Sequence, residues 1–539
     1  MIKKTCAVSG KEFEVTSDDV AFYEKIGVPI PTLCPKERQR RRFSWRNERT
    51  LYRKNCDLCK KSTIAIYDEN APFPVYCREC WRGDTWEAKT FGQEFDFSRP
   101  FFEQFSELLQ KVPKLAVIND YSENSEFTHL AAHNRNCFLV TGSARCEDTL
   151  FVYRSFDVKD SIDCAFLLKG ELCYQCLECE HLYECAYCVR CKNSRNLYVC
   201  YDCQNCKNCF GCTNLRNKEF YWGNKPLDPD EFFERLKKVQ CSWKEFSALK
   251  KSGISRATKC IQCENCAGDN IEKSKNCSPC FDLSECEECR YCTAGTMNEH
   301  CFDVDFFDRS KWCWNGSSHE LVNNCICCAT VWYSNDIFYS ENCSSSHDLF
   351  GCIGMIHAEY CILNKQYSKT EYFQLRDKII EHMKKTDEWG KSFPIEMSPF
   401  AYNETAAQAY HPLSEKEAIA RGYRWKKMKK KDCKPVTITA IPSDIQDVHN
   451  SITKEILACK TCKKNYQIQN QELKFYKKMN LPIPLHCVDC RHRERMTLRN
   501  SRTLYTRTCD KCSIEIQTTF APDRPEKVYC EKCYLSSVE

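Results

Sequence analysis

Residues 173–212 read CYQCLECEHLYECAYCVRCKNSRNLYVCYDCQNCKNCFGC. Cysteines stand at 173, 176, 179, 185, 188, 191, 200, 203, 206, 209 and 212, and the recurring step is three residues. That step does not fit the two-residue alternation of a strand. It suits turns and arcs, where sulfurs on adjacent coils of a solenoid can share an ion. The reading without metal is a ladder of buried thiols acting as small hydrophobes. Outward from this stretch, Asn-Cys and Asp-Cys steps recur among Phe, Tyr and Leu, as in Asn136-Cys137-Phe138 and Asp163-Cys164-Ala165-Phe166. They return at uneven gaps of roughly 15–27 residues, close to one turn of a β-solenoid.

The same pattern occurs twice. At an offset of 140, Cys137, Cys146, Cys173, Cys185, Cys188, Cys203 and Cys212 fall on Cys277, Cys286, Cys313, Cys325, Cys328, Cys343 and Cys352. Phe210-Gly211-Cys212 falls on Phe350-Gly351-Cys352. The copies are not identical: Cys176, Cys200, Cys206 and Cys209 become Gly316, Ser340, Ser346 and Leu349, which favours packing over a shared ligand set, while His319 replaces Cys179. Each copy ends in a helix signal. Asp228 is a good N-cap with Pro229 at the first helical position, and a second helix begins near Ser368. Such helices would cover the open strand edge at a solenoid end.

The two ends of the chain match each other at an offset of 453. Cys6, Cys34, Cys56, Cys59, Cys77 and Cys80 fall on Cys459, Cys487, Cys509, Cys512, Cys530 and Cys533. The C-terminal copy has four Cys-x-x-Cys knuckles. Two knuckles supply four thiolates in a tetrahedron, the closed geometry of a structural zinc site, with no position left for water. Pairing can be sequential or interleaved. In the N-terminal copy Ser9 and Glu37 replace the second cysteines of the first two knuckles. Sequential pairing confines both losses to one site and is favoured. It gives three intact sets: Cys56, Cys59, Cys77, Cys80; Cys459, Cys462, Cys487, Cys490; and Cys509, Cys512, Cys530, Cys533. About three zinc ions per chain are expected. Cys6 and Cys34 are left without a full set, unless Glu37 adds an oxygen ligand. An iron–sulfur cluster is the alternative for a sulfur tetrad.

Compartment supports metal over disulfides for the 46 cysteines. The N-terminus has no apolar h-region, and no run of about 18 apolar residues exists to span a membrane. A cytoplasmic protein is expected, where thiols stay reduced. The net charge of +5 on 539 residues is nearly neutral, so any nucleic-acid contact must be local.

Two local patches qualify. Residues 36–54 carry nine Lys or Arg with Phe43, Trp45 and Tyr52 interleaved, and residues 491–507 carry six Arg. Arginine forks fit phosphate, and aromatic faces stack on unpaired bases. The candidate contacts are Arg38, Arg40, Arg41, Arg42, Trp45, Arg46 and Arg49, with Arg491, Arg493, Arg495, Arg499 and Arg502. A solvated basic face is the plainer alternative. Because both ends carry a patch, a bivalent grip on one polyanion is conceivable.

The expected architecture is therefore multi-domain and mainly β: tandem zinc ribbons flanking a duplicated cysteine-rich β-solenoid with helical caps. Residues 1–86 form the N-terminal ribbon pair with a degenerate first site, and 87–118 a helical connector. Residues 119–257 and 258–385 form two solenoid modules, each with a capping helix. Residues 386–455 form a linker with a short helix capped by Ser414 and Glu417, and 456–539 the C-terminal ribbon pair. The run 426–431, rich in lysine, is read as a solvated linker.

Several strings add a family resemblance. They are Arg-Lys-Asn-Cys-Asp-Leu-Cys (53–59), Pro-Phe-Pro-Val-Tyr-Cys-Arg-Glu-Cys-Trp (72–81), Phe-Asp-Phe-Ser-Arg-Pro-Phe-Phe-Glu-Gln-Phe (95–105), Asn-Cys-Phe-Gly-Cys-Thr-Asn-Leu-Arg-Asn-Lys (208–218) and Ser-Pro-Phe-Ala-Tyr-Asn-Glu-Thr (398–405). With them the chain resembles an uncharacterised family of cysteine-rich zinc-ribbon proteins frequent in small-celled bacteria with reduced genomes. It departs from that pattern at Ser9 and Glu37. The resemblance implies the layout and no reaction.

No His-Glu-x-x-His, phosphate-binding glycine loop or Gly-x-Ser-x-Gly is present. His129 and His133 sit four apart without further motif. The sequence thus points to a non-catalytic zinc protein that contacts RNA, DNA or a ribonucleoprotein through its ribbons, with the solenoid open to a protein partner and no membrane role. The alternative is a metal-handling or redox protein using the cysteines of 173–212. Against it, Glu171, Glu178, Glu180 and Glu184 surround that cluster, whereas reactive thiolates need nearby positive charge.

Overall fold

A computed structural model describes the chain except residues 179, 240, 242, 428–433, 439 and 539. Cys179 and most of the lysine run 426–431 therefore lie outside the described residues. The chain forms two compact units, Met1–Val117 with Lys259–Lys427, and Ile118–Thr258 with Met428–Glu539. Each unit joins one terminal ribbon pair to one solenoid, and it is the ribbon pair from the far end of the chain in the second unit.

The solenoid coil is twelve residues long, shorter than the expected 15–27. In the Ile118–Thr258 solenoid, Tyr183 pairs in parallel with Arg195, Arg195 with Lys207, and Lys207 with Glu219. In the other, Phe281, Thr293, Asp305, Ser317, Ala329 and Glu341 follow one another in the same way. Its first coil is tighter, with Cys260 opposite Ile271.

The three-residue step is one side of the coil. Through most of both solenoids every third residue has positive φ, among them Asn136, Asp148, Asp163, Asn193, Asn196, Asn205 and Asn208. That left-handed conformation turns the corner, and Asn and Asp tolerate it best after Gly. The next residue then points inward, which is why Asn-Cys and Asp-Cys steps recur. Inward positions hold small side chains: Cys164, Leu167, Cys173, Cys176, Cys185, Cys188 and Leu197 are all fully buried.

Cysteine suits this narrow interior for two reasons. It fills little more volume than serine, and its S–H is a weak donor. Cys164 Sγ sits 3.4 Å from the Ile162 carbonyl and 3.2 Å from that of Cys173. Serine makes the stronger version of the contact, with Ser161 Oγ donating to the Lys159 carbonyl at 2.7 Å, and it also accepts from Cys173 N at 3.0 Å. Outside, the corner residues stack into ladders, as in Asn124 to Asn136 and Asn136 to Asp148.

Helices close both solenoids as their caps predict. Asp228 accepts from the N–H groups of Asp230 and Glu231, and helix Pro229–Lys237 lays Phe232 against Phe220 and Trp222. Ser368 and Glu371 form a capping box, and helix Lys369–Lys385 sets Tyr372 against Tyr360 at the equivalent place. In the Met1–Val117 unit, helix Phe101–Lys111 packs Phe101 on Phe350 and Tyr339, and the Glu388 carboxylate accepts from its first two N–H groups. Ser414 and Glu417 cap helix Glu415–Ala420. Among the described residues no helix is long and apolar enough to cross a membrane.

Candidate metal centres

The sulfurs of Cys56, Cys59, Cys77 and Cys80 all come within 4.8 Å of one another, as do those of Cys459, Cys462, Cys487 and Cys490, and of Cys509, Cys512, Cys530 and Cys533. Each tetrad can hold a metal ion. The grouping is sequential, as the loss pattern in the N-terminal copy implied.

Local backbone explains the convergence. The first knuckle of each tetrad closes a tight hairpin turn: Cys56 N donates to the Lys61 carbonyl, and Lys60, in the left-handed region, donates back to the Cys56 carbonyl. Cys459 with Lys463 and Lys464, and Cys509 with Ser513 and Ile514, repeat it. The second knuckle opens a helix. Cys77 caps Arg78–Arg82 and Cys487 caps Val488–Met496, while Cys530 precedes Glu531–Val538. Facing sulfurs lie 3.8 Å apart for Cys59 and Cys77, 3.6 Å for Cys462 and Cys487, and 3.8 Å for Cys512 and Cys530. A tetrahedron of metal–sulfur bonds of about 2.3 Å has edges of about 3.8 Å.

The electrostatics favour thiolate at the first cysteine of each tetrad. Burial pushes the Cys459 thiol up, but the N–H groups of Cys462, Cys487 and Thr461 outweigh it and bring it to about 6. The same opposition holds Cys509 at about 6 and Cys56 at about 7. Arg493 adds a cation, its Nη2 3.0 Å from Cys490 Sγ.

The degenerate site keeps the knuckle backbone without the ligands. Cys6 N still donates to the Lys11 carbonyl, and Ser9 Oγ lies 4.0 Å from Cys34 Sγ. Glu37 is not aimed at them. It is buried against Arg40 and Arg421, so the expectation of an oxygen ligand there is corrected.

The basic stretches are largely spent inside the protein, which corrects the expectation of free phosphate-binding faces. Arg38 donates to Asp303 at 2.9 Å, and Arg42 pairs with Asp303 at 3.0 Å and Asp305 at 2.6 Å. In the other unit Arg491 pairs with Asp163 at 2.8 Å and Glu472 at 2.9 Å, and Arg495 with Asp163 at 2.8 Å. All four guanidiniums are buried. The sequence hid this because Asp163, Asp303 and Asp305 stand on solenoid coils hundreds of residues away. Arg46 pairs with Glu48, bonds Ser318 and lies over the Phe306 ring, and Arg499 pairs with Glu178 over Phe166. Trp45 packs on Phe393. Arg41, Arg49 and Arg502 are half-buried, and Arg493 is exposed beside its sulfur.

Among the described residues the first solenoid brings together no group of three metal-ligating side chains, whereas the second brings together Cys313, His319 and Cys325. His129 and His133 do not converge: His129 Nδ1 accepts from Ile118 N, and His133 stacks on Tyr121. No protein-family model matches the chain, and no curated protein is similar to it.

Proposed function

We propose that this is a non-catalytic zinc-binding interaction protein, in which three zinc ions fold the ribbons and the ribbons and solenoids present surfaces to a partner. One observation carries the reading: each tetrad is a closed set of four sulfurs, and each ribbon pair is clamped to a solenoid by buried Arg–Asp pairs, from the lobe of Cys459–Cys490 at one end of the chain and from the lobe of Cys6 and Cys34 at the other. A closed set leaves no open position for substrate or water, and zinc in such a set contributes folding free energy. Burial speaks against redox use of Cys164 and Cys352, since it pushes both well above the ordinary thiol range, where they stay protonated and unreactive.

A polyanion, nucleic acid or ribonucleoprotein, is the partner class we favour, on narrower grounds than the arginine runs. Lysines remain exposed at the knuckle tips, at Lys60 and Lys61, at Lys460, Lys463 and Lys464, and at Lys511. The test is fluorescence anisotropy with single-stranded RNA and duplex DNA across a salt series. Binding that weakens steeply with salt is expected. Reversal of Lys463 and Lys464 to Glu should lower the log–log slope by about 2. No binding of either polymer at low salt would sink the polyanion reading and leave a protein partner.

A further inference from the structure

His319 is an outlier in the second solenoid. It points into an interior lined mostly by cysteines and aliphatic side chains, and it is only 2% exposed. Its Nε2 lies 3.1 Å from the Cys328 carbonyl, a group that can only accept, so Nε2 carries the proton. Nδ1 then holds a bare lone pair, buried and without a hydrogen-bond partner. A buried acceptor left without a partner is costly unless something satisfies it.

Two thiols flank it. Cys313 and Cys325 stand in one inward column on consecutive coils, both fully buried, and Cys325 Sγ is 3.9 Å from the ring's Nε2. One ligand atom from each of the three side chains falls within 4.8 Å of the others. The surroundings are fitted to the ring. Gly316 stands three residues earlier, and a Cβ there would lie 2.1 Å from His319 Cε1. In the first solenoid the equivalent pair is Cys176 and Cys179. The exchange of Cys-x-x-Cys for Gly-x-x-His keeps a metal-ligating side chain and clears the space its larger ring needs.

We propose that Cys313, His319 and Cys325 hold a zinc ion inside the second solenoid, separate from the ribbon sites. Charge supports a divalent ion. Two thiolates and a neutral imidazole around Zn²⁺ sum to zero, the state a dry interior tolerates. On binding, Cys313 and Cys325 each lose a proton to solvent, and the metal–sulfur bonds replace the S–H bonds. Further sulfur adjoins the group, with Cys301 beside Cys313 and Cys328 beside Cys325 in the buried interior. The Nε2–H bond to the Cys328 carbonyl is the kind of outer contact that fixes a ligating imidazole.

The experiment is anomalous diffraction at the zinc edge, on crystals of the full chain purified without a metal-affinity tag. A peak among Cys313, His319 and Cys325, beside those in the ribbons, is expected. Ribbon peaks with nothing in the solenoid overturn the proposal, while missing ribbon peaks would instead strike the reading of the ribbons. Zinc per chain in solution should fall by one ion in His319→Gln. It should not change in Cys343→Ser, which alters a buried thiol of the same solenoid outside the group. Unchanged zinc in folded His319→Gln also overturns it, and should that variant fail to fold, the wild-type crystals decide.

Discussion

The two units are copies that solve one problem differently. In both, a ribbon helix sends two arginines one turn apart into a single solenoid aspartate: Arg38 and Arg42 to Asp303, Arg491 and Arg495 to Asp163. In both, an aromatic of the preceding helix meets a solenoid ring, Tyr23 on Trp314 and Tyr476 on Tyr174. The C-terminal ribbon keeps four cysteines in its first lobe, and the N-terminal ribbon keeps two. The N-terminal lobe has more docking instead. Asp305 gives Arg42 a second carboxylate where the other solenoid has Ala165. Phe22 stacks on Phe302 with centroids 3.6 Å apart, where Ile162 stands in the other copy. Arg290 holds Asp18 and Asp19, and Trp389 Nε1 donates to the Gly27 carbonyl. A small lobe with a thin core needs an external staple. The comparison shows docking standing where the other copy has a full set of four cysteines.

Metal removal is the sharpest way to break that comparison. Chelation should melt the lobe 456–498 and leave the lobe 1–44 ordered. Structural zinc contributes on the order of 10 kcal/mol to small zinc-folded units, more than such a lobe holds without it. Cys490→Ser should reproduce the effect, and Cys34→Ser should not. Hydrogen exchange by mass spectrometry reads both lobes at once. Equal loss of protection in the two would show that docking alone orders neither.

The ion pairs come next in size. Among the described residues Asp163 is the carboxylate that pairs with Arg495, and it also pairs with Arg491, so Asp163→Ala takes away the counter-charge of a buried guanidinium. Uncompensated charge of this kind costs about 3–5 kcal/mol. Asp303→Ala should cost about as much, because Arg38 then loses its carboxylate while Arg42 keeps Asp305, as Arg491 keeps Glu472 in the other unit. Chemical denaturation followed by exchange in each unit compares the two. A clearly smaller cost for Asp303→Ala would mean that Asp305 also offsets Arg38.

Legibility in the sequence followed the range of the cause. The tetrads were readable because a Cys-x-x-Cys knuckle is set by its own turn, and the duplications because the offsets run without gaps. The arginines misled because burial is decided by Asp163 and Asp303, and a charge run read alone looks solvated. The twelve-residue coil was half visible. Asn208-Cys209 and Asn205-Cys206 display the corner and the inward residue, but Val140, Ser143 and Val152 occupy inward positions without sulfur and stretch the apparent repeat. The buried histidine was noticed only as a replacement for Cys179, since the value of Gly316 depends on where the ring lies.

The corners give the smallest and most local test. Both solenoids mix Asn and Asp corners with bulkier ones: the Ile118–Thr258 solenoid has Asn208 as well as Leu139 at positive φ, and the second has Asn342 as well as Leu321 and Tyr333. A left-handed residue other than Gly, Asn or Asp costs roughly 1–2 kcal/mol. Leu321 is 40% exposed, so little packing is lost with it. Leu321→Asn should therefore stabilise its unit by about 1 kcal/mol, and Asn208→Leu should destabilise the other by a similar amount. Thermal melts of the two variants decide the matter through their signs. Opposite signs show that the corner conformation governs both solenoids. A loss in both would mean that Leu321 contributes packing on the outer face that outweighs its backbone strain, and the two solenoids would then be held by different rules.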